Sequence, residues 1–206
     1  MNRRALFGLA ALPLASTRRP TPSPAASTGG RRNFPNVELD THDERKLRFY
    51  DDLMKTKIDM VNFFYTQCDG ICIPVTSNLR KVQDLFGDRV GRDVFMYSFS
   101  LKAKEDSPEA LRAYMKSHKV GPGWTFLTGD PDDLESMRRH LGFTDPDPAR
   151  DADTTNHTGM VRYGNEGLSL WAAFPGMSEA EAIAKSILWV AWPQKGDPKP
   201  KTVKQG

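Results

Sequence analysis

Cysteine is scarce: two residues, Cys68 and Cys72, in a chain of 206. That excludes the disulfide framework that holds small secreted domains together. A long apolar run is also lacking, so no transmembrane segment is expected in the mature chain. Histidine is nearly as rare, with four residues, and the eight methionines form no Met-x-x-Met cluster. Acids are missing from the start of the chain. Residues 1–32 carry six arginines and no acid, and residues 193–206 carry four lysines and one acid. The middle, 33–192, then holds 19 basic and 25 acidic groups, a net charge of −6. Nucleic-acid binding needs a basic patch on the folded part, so this balance argues against it.

What is present divides the chain into four parts. In "MNRRALFGLAALPLAS", Arg3 and Arg4 precede an apolar stretch, Leu6 to Leu14, and small residues for cleavage. Residues 1–16 thus read as an export signal, with the paired arginines pointing to the twin-arginine type and a periplasmic location. Residues 17–36, rich in Pro, Ser, Thr, Gly and Arg, read as a disordered linker, and 193–206 as a disordered basic tail. A single folded domain is expected over 37–192.

Within it, short extended pieces around Asp40 to Glu44 predict a hairpin, and "FYDDLMK" one or two helical turns. "KIDMVNFFY", "DVFMYSFSL" and "GWTFLTG" are dense apolar runs of strand length, as strands buried on both faces should be. Between them, Val75, Leu79, Val82 and Phe86 fall at helical spacing ahead of Gly87, and "DSPEALRAYMKSHKVG" opens with Ser107 as a cap and Pro108 at the first helical position. A third helix follows Asp130. "DPDPARDADTTN" reads as a polar loop. Two strands with a turn at Gly164 to Gly167 come next, then a helix with Ser178 as cap and Glu181 completing a capping box. This order predicts an α/β fold: a thioredoxin-like three-layer α/β/α sandwich with a central mixed sheet and an N-terminal hairpin.

The chemistry concentrates in "YTQCDGICIP". With Pro74 in a first helical turn, Cys72 lies at the helix start and Cys68 in the loop before it. Unpaired amide N–H groups and the helix dipole there favour thiolate, the form that attacks disulfides and binds metal. Asp69 opposes a second negative charge. A structural disulfide is one reading, but closing so small a loop stabilises by only about 2 kcal/mol. Two soft sulfurs also suit Cu(I), and an added imidazole makes a three-coordinate site. His42, His118 and His140 sit in a turn or at helix ends and read as surface groups. His157 differs, ending a polar loop and entering a strand, where a scaffold can aim it across a cleft. Met160, close by, reads as core filling.

The stretches "VNFFYTQCDGIC", "TSNLRKVQ", "DSPEALRAY", "WTFLTGD" and "NHTGMVRY" resemble the SCO/SenC family, from about Val37 to Trp192. The resemblance implies a thioredoxin-like copper chaperone, tethered or exported, that helps build the copper centre of cytochrome oxidase. Its implied metal ligands are Cys68, Cys72 and His157, its implied cofactor is copper, Cu(I) first with Cu(II) as the second candidate, and its partners are a copper-acceptor protein such as a cytochrome oxidase subunit and a thiol reductant. The alternative is a thiol–disulfide oxidoreductase in which Cys68, the residue expected to be exposed in the loop, attacks and Cys72 resolves. Peroxidase chemistry lacks a marked site. Lys102 stands where the family usually carries an acid; facing the site, it would favour thiolates.

Overall fold

The computed structural model describes residues 34–55, 57–153 and 159–190. Seven strands form one sheet in the order β2-β1-β5-β4-β3-β6-β7. The strands are β1 (Glu38–Thr41), β2 (Lys46–Arg48), β3 (Ile58–Phe64), β4 (Phe95–Ser100), β5 (Trp124–Gly129), β6 (Met160–Asn165) and β7 (Leu170–Pro175). β3, β4 and β5 run parallel, while β1 and β6 flank them antiparallel. The sheet is therefore mixed, and the expected hairpin is β1 with β2.

Alternation along the central strands sorts side chains onto two faces. Met60 and Phe64 of β3, Met96 of β4 and Phe126 of β5 join one cluster with Val75, Leu79, Val82 and Phe86 of α1 (Cys72–Phe86). Leu111 and Tyr114 of α2 (Pro108–Ser117) and Ile183 and Ile187 of α5 (Ala180–Val190) complete it. Val61, Phe63, Tyr97, Phe99 and Leu127 face the other way. They pack on Leu134 and Met137 of α3 (Pro131–His140) and on Phe49, Leu53 and Met54, which lie in one wide helical turn, Phe49–Met54. Helices thus cover both faces, giving the thioredoxin-like α/β/α sandwich that the order of elements predicts. One set of polar groups in the sheet is paired across strands: Trp124 Nε1 donates to Ser98 Oγ at 2.9 Å, and Ser98 Oγ to Asn62 Oδ1 at 2.7 Å.

The caps at Ser107 and Asp130 form, each side chain accepting a backbone N–H of its own first turn. Gly87 ends α1 with φ +52°. Three local readings change. Residues 145–153 are not an open loop, because α4 (Pro148–Ala152) forms there, capped by Asp147 and held by Asp151 on the buried Arg138 guanidinium at 2.7 Å. The turn between β6 and β7, expected at Gly164 to Gly167, is a short helical turn, Glu166–Leu168, which includes Gly167, while Gly164 belongs to β6. Finally α5 begins at Ala180, and Ser178 uses its carbonyl to accept from Asn78 Nδ2 of α1.

The packed region also starts before Val37. Phe34 is buried, its ring 5.9 Å from that of Phe49 and 5.3 Å from that of Trp171. Composition around Phe34 is that of a linker, but one aromatic ring closing an apolar edge is enough to hold it. The export signal, the rest of the linker and the basic tail lie outside the described residues.

Candidate metal centre

β3 ends at Phe64 and hands the chain to a loop that re-enters as α1. Cys68 lies in that loop and Cys72 is the first residue of the helix. Both are free thiols, and both are buried. Cys68 is 6 % exposed, so its reactivity does not come from the exposure expected of a loop residue.

It comes from hydrogen bonds. Burial raises the Cys68 pKa, but four contacts together outweigh it: the Cys72 side chain, the backbone N–H groups of Cys72 and Gly70, and the Tyr65 hydroxyl. The net direction is down. One of those donors, the Cys72 amide, is at the start of α1, among the groups a helix leaves unpaired, and the Gly70 amide lies in the loop just before it. Cys72 moves the other way. Burial raises its pKa most, the bond to Cys68 adds to this, and the field of Asp106 adds further; the Tyr65 backbone N–H only partly offsets them. The pair is therefore asymmetric: Cys68 is the sulfur that ionises more readily, accepting from the Cys72 thiol. Tyr65 is likewise raised, first by its bond to Cys68 and then by burial.

Around this pair lie groups that sequence reasoning did not single out. Asp106 is fully buried. Its carboxylate accepts from the Thr66 backbone N–H at 3.1 Å, from Thr66 Oγ1 at 2.5 Å and from Ser100 Oγ at 2.5 Å. It thereby ties the exit of β3 to the exit of β4. The signal for it was present: in "EDSPEAL" Ser107 is sufficient as cap, so Asp106 was free for another task. Tyr114 of α2 bonds Thr76 of α1 through its hydroxyl at 2.8 Å. Lys102 does face the site. Its Nζ lies 4.6 Å from the centroid of the Tyr65 ring, whose hydroxyl holds Cys68, and 3.7 Å from Glu105. Asp69 is exposed, and Met160 is partly buried at the start of β6, opposite Pro175.

The histidines separate clearly. His42 is half-buried in the β1–β2 turn and accepts the Phe126 N–H at Nδ1, 3.3 Å, with burial lowering its pKa. His118 stacks on Tyr114 at 4.2 Å and is also lowered by burial. Both are thus more enclosed than plain surface groups. His140 bonds the Ser136 carbonyl at 2.8 Å. His157 lies outside the described residues. Among the described residues no group of three Cys, His, Asp or Glu side chains is arranged to hold a metal ion. Gly159, two residues after His157, is described. It has φ +59°, and a Cβ there would overlap Ile71 Cδ1 in the cysteine loop. Its carbonyl accepts the Gly176 N–H at 2.9 Å. The chain leaving the 154–158 segment is thus packed directly on the residue next to Cys72.

A thioredoxin-like domain with a reduced Cys-x-x-x-Cys pair at a helix start, one thiol made more acidic than the other, defines a dithiol protein suited to soft metals or disulfide exchange. The chain belongs to the SCO1/SenC family, whose model matches residues 35–191. It is 30% identical over 78 residues to the SCO1 protein homolog of Bacillus subtilis (strain 168), a match covering 37% of this chain and 39% of that protein. Similar solved structures include a SCO1/SenC family lipoprotein from Bacillus anthracis str. Ames, with TM-score 0.62, 21% identity, and coverage of 77% of this chain and 95% of that one. Bradyrhizobium japonicum ScoI with copper bound has TM-score 0.60 and 19% identity, covering 74% and 96%. BsSco, described with a disulfide switch as a member of the Sco family of cytochrome c oxidase assembly proteins, has TM-score 0.61 and 18% identity, covering 78% and 95%. Among the described residues no helix is long and apolar enough to cross a membrane.

Proposed function

We propose that this protein carries copper, held by Cys68, Cys72 and His157, and delivers it to a copper centre such as that of cytochrome oxidase. The observation that carries this reading is the packing of Gly159 on Ile71. Gly159 follows His157 by two residues in the sequence and is seated against the cysteine loop, and two residues of chain span at most about 7 Å. The donor set fits the cargo: one readily ionised thiol, a second sulfur in contact with it, and an imidazole suit Cu(I), and three ligands leave room for an acceptor's ligand to enter. Copper binding displaces the proton that Cys72 holds, so loading is favoured as pH rises. Copper-bound relatives with the same fold support the reading. The proposed place of work is outside the cytoplasm, after export through the residue 1–16 signal.

The test is an anaerobic Cu(I) titration of the reduced protein against a chelator of known affinity. One equivalent should bind tightly, and His157→Ala should weaken binding by about 10-fold or more, as loss of one of three ligands implies. Equal affinity in the two proteins would remove His157 from the site.

The asymmetry of the two thiols favours a second reading. Cys68 attacks a disulfide of an acceptor and displaces one of its thiolates. Cys72 then displaces the other, leaving the acceptor reduced and Cys68–Cys72 oxidised, to be reset by a thiol reductant. Copper affinity indifferent to His157, together with fast exchange, would favour this alternative.

A further inference from the structure

Pro74, Ser77, Lys81 and Asp84 recur along α1 at helical spacing, forming one outward stripe that begins two residues after Cys72. Two grooves run along it and share Ser77 and Lys81. The first, about 320 Å³, lies between Pro74 and the β7–α5 loop, where Met177 is 57 % exposed. The second, about 410 Å³, lies between Arg80 and the end of α2 and is lined by His118 and Lys119. At the cysteine end two apolar side chains stand exposed, Met177 and Ile73, the latter next to Cys72 and 43 % exposed, beside the polar Asn78, Ser178 and Glu179. Farther along the surface is cationic. Arg80 is spent on Asp84 and the Lys119 carbonyl. Lys81 and Lys119 have no ion-pair partner among the described residues. On a domain whose residues 33–192 sum to −6, two uncompensated lysines beside a groove stand against the prevailing charge.

We infer that this stripe is the docking surface for the protein that exchanges cargo with the cysteines, and that its partner presents an apolar side chain flanked by carboxylates. The inference rests on the reading that Cys68 and Cys72 hand copper or electrons to another protein, but it does not depend on which. The apolar contact falls on Ile73 and Met177, at the rim of the site. The acidic groups reach Lys81 and Lys119. Lys81 lies nine residues beyond Cys72, about 14 Å along the helix axis. That spacing lets one small partner face cover both ends. Charge complementarity of this kind speeds encounter and sets orientation, and it weakens with salt.

Two peptides test it, each with one leucine and one cysteine capped as the mixed disulfide with 2-mercaptoethanol, and flanked by either four aspartates or four lysines. With the reduced full-length chain, the Cys68 thiolate attacks the capped disulfide and Cys72 closes on Cys68. The protein loses two electrons, and the peptide and mercaptoethanol leave as thiols carrying the two protons. At low salt the aspartate peptide should react about 10-fold faster than the lysine peptide, with the ratio shrinking at high salt. Lys81→Glu, alone and with Lys119→Glu, should shrink or reverse that ratio. The rate with neutral 2-hydroxyethyl disulfide should not change, which reads the dithiol itself. The basic termini are the same in all variants. A ratio that survives charge reversal would place the preference in those termini and overturn the groove, as would equal rates for the two peptides. A dead neutral reaction would instead count against disulfide exchange by the cysteines.

Discussion

Cys68 and Cys72 differ only in what touches them, and that difference is measurable. Cys68 has donors aimed at its sulfur; Cys72 has burial and the Asp106 charge against it. Alkylation by iodoacetamide, followed by peptide mass, should modify Cys68 first, with a midpoint below that of an ordinary thiol. Cys72 should stay protected at pH values where Cys68 has fully reacted. The reverse order would show that burial, not hydrogen bonding, governs the site. Asp59 is a second residue whose surroundings decide its charge. It is fully buried in β3, both carboxylate oxygens lack a partner among the described groups, and burial pushes its pKa well above normal, with Glu166 adding to this and Lys57 opposing it. A raised carboxyl pKa means the native state holds a proton that the unfolded chain releases. Its contribution is therefore intact below the unfolded pKa and is lost as pH rises above it. Asp59→Asn should flatten the fall of melting temperature with rising pH and raise stability at pH 8. An unchanged pH slope would mean the carboxyl is ionised in the fold.

At the scale of elements, local signals and tertiary ties carry different shares. Ser107 accepts the Ala110 N–H at 3.2 Å, and Ser107→Ala should cost about 1 kcal/mol in a denaturant titration, with the cysteines unaffected. Asp106 next to it has no such local partner. Its three bonds all run to the ends of β3 and β4, so Asp106→Ala should disturb the cysteine loop and alter the order of alkylation as well as stability. The same contrast explains what was legible. Caps, helical spacing and strand runs are short-range, and they were readable at Ser107, Asp130, Gly87 and across β3 to β5. The α4 turn was missed although Asp147-Pro148 carries a cap signal, because its stability comes from Asp151 on Arg138, a partner in another helix.

For the whole molecule, the contact that matters to the copper reading is that of Gly159 with Ile71 of the cysteine loop. Gly159 has a positive φ and no room for a side chain beside Ile71. Gly159→Ala should cost about 1–2 kcal/mol from its backbone alone and should displace the chain that follows the 154–158 segment from Ile71. Under the copper reading, Cu(I) affinity should then fall while the circular dichroism spectrum stays unchanged. Affinity equal to that of the unaltered protein would show that this contact does not matter to binding. The sheet order makes this contact possible: β6 pairs antiparallel with β3, so its entry lies at the end where β3 releases the cysteine loop.

The amino-acid sequence alone determined the alternation of strands and helices and the placing of two cysteines where a helix begins, because such features depend on residues only a few positions apart. Folding in three dimensions decided which sulfur ionises more readily, through Tyr65, Gly70 and the first amide of α1. It also enclosed Phe34, Asp106 and Lys102 in roles that composition does not reveal. Those outcomes depend on groups distant along the chain meeting in a space from which water is excluded, where each hydrogen bond and each charge counts for more than it does on an open surface.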